Sequence, residues 1–184
     1  MDRIIDYQAT QPVSKVGQIR PIPIPHSPRR AVLAKIRITI PQRDANHNHV
    51  ELIGTVGVRG VTGTSQLLFK IFRDGKEIFR SQEGVESDPT SEVNYIVTIQ
   101  AIDTNVRGGS HSYQFTVENS TKGTEAAVVG PISFSGLAIA SGKDDDNKHD
   151  HEKDHEKDHE KDHDRDHEKD HDRDQDRNRR SWFE

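Results

Sequence analysis

Residues Gln66–Arg80 read QLLFKIFRDGKEIFR. On a strand, Leu67, Phe69 and Ile71 point one way while Leu68, Lys70 and Phe72 point the other, because successive side chains alternate across a pleated backbone. Asp74-Gly75 supplies the turn, since a two-residue type I′ hairpin needs positive φ at both central positions and Asp-Gly tolerates that. Lys76 to Phe79 then runs back alongside. Three of the six phenylalanines in the chain sit in this stretch, so the hairpin is expected at the centre of the core.

Working outward, the same two-residue period recurs. Before the hairpin, Lys35–Ile40 alternates cleanly with Ile36, Ile38 and Ile40 inward, and Pro41 to Asn48 reads as a polar loop. In Val50–Arg59, Leu52, Gly54, Val56 and Val58 share one parity, and the glycines point to close packing or a bulge. After the hairpin, Ser81 to Ser91 reads as a polar, proline-containing connection, followed by an inward row of Val93, Tyr95, Val97, Ile99 and Ala101. Thr104 to Ser110, with Gly108-Gly109, is a turn, after which Tyr113, Phe115 and Val117 alternate with Ser112, Gln114 and Thr116. Ala126–Val129, Ile132, Phe134 and Leu137–Ala140 form one or two closing strands around Pro131. Seven or eight short strands without a helical segment predict an all-β fold, a single β-sandwich or jelly-roll-like domain over residues 31–140. About 110 residues can bury a core without disulfide support.

Residues 1–30 read as an extended, proline-rich N-terminal arm. Pro21, Pro23, Pro25 and Pro28 forbid a helix there and bias the residues before them toward extended conformations. Ile4, Ile5 and Tyr7 are apolar enough to dock, which leaves two readings: a terminus held by a contact or two, or an assembly arm that reaches a neighbouring subunit and adds a strand to it.

The chain has 184 residues, a net charge of −5 and no cysteine. The segment 143–184 carries 11 Lys and Arg against 18 Asp and Glu, leaving 15 and 13 for the rest. The acidity therefore belongs to the tail, and a near-neutral body argues against nucleic-acid binding, which needs a basic face. Without cysteine there is no disulfide, thiolate metal site or Cys nucleophile. No apolar run suits a signal peptide or a membrane span, so secretion by the usual leader and membrane insertion are not expected.

Residues 141–184 form a low-complexity His/Asp/Glu/Lys tail. From His151 it repeats HEKD, HEKD, HEKD, HDRD, HEKD, HDRD, with nothing apolar until Trp182-Phe183. Such a segment cannot bury enough surface to offset its conformational entropy and is expected to be disordered, or at most a marginal helix. On a helix His151, His155, His159, His163, His167 and His171 would share a slowly drifting stripe. Histidines at i,i+4 with carboxylates between them suit Zn²⁺, Ni²⁺ or Cu²⁺, although a flexible multi-His tract binds these weakly whatever its biology. The tail's seven histidines would also cancel its net charge of −7 on protonation in mild acid.

A search for reactive clusters in the body finds none with a recognisable spacing. His47 and His49 lie in the polar loop, where Asp44 would have to join them to make a metal site. Glu83, Glu86 and Asp88 are acidic but lack a Ca²⁺-loop pattern. No phosphate-binding loop occurs, and the body's histidines show no triad arrangement. Tyr95 and Tyr113, the candidate carbohydrate platforms, have inward parity. The reading is a protein that is not an enzyme and needs no cofactor.

Three strings carry a family resemblance. Ile4–Ser14 (IIDYQATQPVS), Leu68–Phe79 (LFKIFRDGKEIF) and Gly130–Ile139 (GPISFSGLAI) resemble exosporium protein C-type proteins of Bacillus-group spores. The likeness covers roughly residues 1–140 and leaves the tail outside. It implies a protein made in the mother-cell cytoplasm and deposited on the spore surface, with other exosporium or spore-coat proteins as partners. A homo-oligomer, trimer or fibre, is plausible by analogy with exosporium proteins that have jelly-roll domains. The leading expectation is a structural, non-enzymatic exosporium component; the alternative is a metal-binding or metal-buffering protein acting through its tail.

Overall fold

The computed structural model describes residues 2–90 and 93–141. Among the described residues the alternating stretches form nine strands: β1 (Arg3–Val13), β2 (Ile22–Pro23), β3 (Ala31–Ile40), β4 (Asn48–Thr62), β5 (Thr64–Arg73), β6 (Lys76–Glu86), β7 (Tyr95–Thr104), β8 (Gly109–Asn119) and β9 (Glu125–Ala140). A single 3-10 turn at Gln42–Asp44 interrupts the loop before β4. One sheet has the order β1-β9-β4-β7, with β2 beside β9; the other has the order β3-β8-β5-β6. Every strand pairing is antiparallel. From β3 onward each connection crosses to the opposite sheet except the β5–β6 hairpin, which is a jelly-roll β-sandwich.

The core lies between the sheets, and the inward rows read from the sequence fill it. Ile38, Leu52, Val56, Leu67, Phe69, Ile71, Tyr113, Phe115 and Val117 are all fully buried. Phe115 is the hub, with ring centroids 6.3 Å from Phe69 and 5.8 Å from Phe134. Gly54 lies under it, and a Cβ there would stand 2.8 Å from the Phe115 ring. At Gly57 a Cβ would run into the Gly130 carbonyl, and the β4–β9 register slips between Val56 and Val58. Both expectations for the β4 glycines, close packing and a bulge, are met at these two positions. Asp74 and Gly75 have φ of 49° and 86°, as the hairpin turn requires.

Several boundaries differ from the sequence reading. Residues 1–30 are not an arm separate from a 31–140 domain. β1 pairs with β9 from Arg3↔Ala140 to Val13↔Ile132, and β2 extends the same edge through Ile22↔Val128 and Pro23↔Ala127. Prolines mark this edge because it has few ladder hydrogen bonds to lose. Ser81–Glu86, expected in a connection, belongs to β6, and Val93, expected to face inward, is exposed. The closing stretch, read as one or two strands, is the single strand β9. The outward positions of the hairpin also differ. Lys70 and Phe72 are buried, because the β2–β3 connection folds over them: Arg30 sits 4.1 Å above the Phe72 ring and Ser27 donates to Glu118 at 2.9 Å. The tail, 142–184, lies outside the described residues.

Candidate functional site

The residues singled out for assembly fall on both sides of one strand. Ile4 and Tyr7 are 64% and 58% exposed on the outer face of the first sheet, next to Ile139 and Leu137 of β9. Ile5 is half-buried against the core, and a register shift between Ile4 and Asp6 accounts for Ile4 and Tyr7 sharing a face. Asp6 accepts a hydrogen bond from the Thr39 N–H at 2.8 Å, and Arg3 donates to Asp44 at 2.7 Å. These contacts tie β1 to β3 and to the 3-10 turn, closing one side of the sandwich.

The polar clusters serve to join elements. Asp74, foreseen only as a turn residue, also docks the hairpin tip: its carboxylate accepts from the Ser112 N–H at 2.8 Å and lies 2.7 Å from His111 Nδ1. Burial alone would raise its pKa, but the His111 and Ser112 hydrogen bonds and the nearby charges of His111 and Arg73 hold the carboxyl below its usual range. Asp103 of β7 bridges the sheets, accepting from Arg73 at 2.8 and 2.9 Å and from the Tyr113 hydroxyl at 2.9 Å. Burial, then the Asp103 charge and hydrogen bond, push the Tyr113 phenol far above its ordinary range. On the outer side of the second sheet Lys70 donates to Glu118 at 2.8 Å, with Glu77 3.6 Å away.

The loop residues considered for metals do other work. Asp44 pairs with Arg3, and Asn48, between the two loop histidines, donates to the Asp44 and Val106 carbonyls at 2.6 and 2.8 Å. His49 Nε2 lies 3.9 Å from Glu51 Oε1. Asp88 accepts from the Thr90 N–H and hydroxyl, which lowers its pKa. Among the described residues no group of three His, Cys, Asp or Glu side chains is arranged to hold a metal. His151, His155, His159, His163, His167 and His171 lie outside the described residues.

Sequence reasoning missed three residues beside Ile4 and Tyr7. Ile53 of β4 and Ile96 and Ile102 of β7 are 43%, 59% and 61% exposed, on the outer face of the same sheet by register. The signal was present: Ile53 lies between the inward Leu52 and Gly54, and Ile96 and Ile102 lie off the parity of Val97 to Ala101. A strand with one solvated face places polar residues at such positions. A groove of about 380 Å³ on this face runs between Tyr7 and Ile53 over Ser133 and Ser135.

No protein-family model matches the chain, and no curated protein matches it. Among solved structures it is similar to that of infectious bursal disease virus, Gt strain, with 11% identity and a TM-score of 0.45 over 76% of this chain and 36% of the other. It is also similar to the VP2 subviral particle of infectious bursal disease virus, with 10% identity and a TM-score of 0.39 over 76% of this chain and 40% of the other. The chain spans well under half the length of these viral chains.

Proposed function

We propose that the chain is a structural, non-enzymatic component of a spore's outermost layer, the exosporium, packing with copies of itself and with other spore-surface proteins. The location rests on the resemblance of Ile4–Ser14, Leu68–Phe79 and Gly130–Ile139 to exosporium protein C-type proteins. Those strings correspond to most of β1, the turn end of the β5–β6 hairpin and most of β9. The packing role rests on one observation of the structure: Ile4, Tyr7, Ile53, Ile96 and Ile102 are exposed together on one sheet face. Large apolar side chains gathered on the outer face of one sheet mark a contact surface. The side-chain bridges inside the domain support a structural role, since the ion pairs Asp103–Arg73 and Lys70–Glu118 and the hydrogen-bonded Asp74–His111 each fasten one element to another.

Immunogold labelling of sporulating Bacillus-group cells carrying an epitope-tagged copy tests the location. Label is expected in the mother cell early and on the outermost spore layer at maturity. Label confined to vegetative cells, or lying beneath the coat, would overturn it.

A further inference from the structure

The two outer faces of this sandwich differ in kind. The second sheet presents Lys35, Arg37, Gln66, Arg80 and Gln82 to solvent or half-buried, and its Lys70–Glu118 pair lies under the β2–β3 connection. On the first sheet the strand register lines up Tyr7, Leu137, Glu51 and Ile102 in one row and Ala9, Ser135, Ile53 and Gln100 in the next. Among the described residues from the row of His49 to that of Gly57, the only acidic or basic side chains on this face are His49 and Glu51, 3.9 Å apart. A solvated face has no reason to carry five large, exposed apolar side chains and a single carboxylate.

We propose that this face seats a second copy of the same chain, the two first sheets stacking about a two-fold axis with Ile53 near its centre. This deepens the self-packing reading given above and rests on it. Three observations select a copy over other occupants. First, between the rows of His49 and Gly57 this face carries one carboxylate, Glu51, with His49 3.9 Å from it, so it meets its own copy with little of the like-charge repulsion that a charged face would suffer. Second, the area suffices: four strands about 4.8 Å apart and nine residues at about 3.4 Å each cover roughly 600 Å² in projection. Side-chain relief brings that close to the ~800 Å² per partner of a standard interface. Third, the face has both relief and recess: a groove floored by Ser133 and Ser135 lies between Tyr7 and Ile53, while Ile96 and Ile102 project from β7 at the other edge of the sheet. Sheets stack about 10 Å apart when such side chains interdigitate. A lipid surface would call for a cationic rim that His49 and Glu51 do not provide. The aromatic pair Trp182-Phe183 at the chain's end is too small to cover five residues spread over the sheet.

The test is light scattering coupled to size exclusion on the full chain, compared with Ile53→Lys and Ile102→Glu. Both substitutions replace exposed side chains, so the thermal unfolding midpoint is expected to stay within a few degrees of the parent. The parent is expected to show the mass of a dimer or of a multiple of it. Each variant should move to half that mass, with dimer dissociation shifted roughly thirty-fold or more, as for a central interface residue. A parent that stays monomeric through the micromolar range overturns the proposal. If a Trp182→Ala/Phe183→Ala chain then dimerises, the occupant is the chain's own end. An oligomer that survives both substitutions unchanged also overturns it, placing assembly elsewhere. A dimer sensitive to Ile53→Lys in a protein absent from the spore surface would keep this inference and sink only the proposed location.

Discussion

Phe115→Ala is expected to destabilise the sandwich by about 3–5 kcal/mol, the range for truncating a fully buried phenylalanine. Phe115 is the middle ring of three, between Phe69 of its own sheet and Phe134 of the other, and it roofs Gly54. Its removal leaves a void bounded on one side by a glycine with no side chain to move in. Collapse into that void would require β4 itself to shift, against pairing on both edges, with β7 and with β9. The loss should therefore fall in the upper part of the range. It should appear in urea denaturation as a lower midpoint with an unchanged slope, and as a fall in the thermal midpoint of roughly 10 °C or more. A loss under about 1 kcal/mol would mean that the two sheets do not meet at this ring.

The second large effect is expected at Asp103. It is the one carboxylate that receives both the Arg73 guanidinium and the Tyr113 hydroxyl, and it joins β7 of one sheet to β5 and β8 of the other. Tyr113 is fully buried, so Asp103→Ala takes away the acceptor of its hydroxyl. Arg73 is less constrained: its side chain is 28% exposed and can turn partly to water. The sum is about 2–4 kcal/mol, below the full cost of orphaning a buried charge. Asp103→Asn keeps an acceptor for Tyr113 and should recover part of that loss. Chemical denaturation of the two variants provides the measurement. Equal stability of Asp103→Ala and the parent would contradict the bridge.

Much of the sandwich was legible because its inward rows are strictly apolar and its turns carry their own chemistry. The Lys35–Ile40 isoleucines, the odd positions of Leu67–Ile71 and the Tyr113–Val117 row are buried as read, and Asp74-Gly75 makes the turn. The N-terminal segment was misread for a physical reason. Proline density signals the absence of helix equally well in an arm and in a sheet edge, and only pairing with β9, more than a hundred residues away, distinguishes them. The burial of Lys70 was hidden in the same way, since its partner Glu118 and the covering Ser27 are distant in sequence. The exposed face was legible in principle. Ile53, Ile96 and Ile102 break the apolar–polar alternation, but the inward rows drew attention to the other parity.

The apolar face depends on β1 being a strand of the sandwich, since Ile4 and Tyr7 complete it only if β1 lies against β9. Native-state hydrogen exchange of the β1 amides tests this most directly. The amides of Arg3–Val13 that bond to β9 should exchange at least a hundred-fold more slowly than unstructured amides, a protection on the order of 3 kcal/mol or more. Exchange of the whole segment at the unprotected rate would contradict the account, return residues 1–14 to a detachable arm and leave the outer face without its edge.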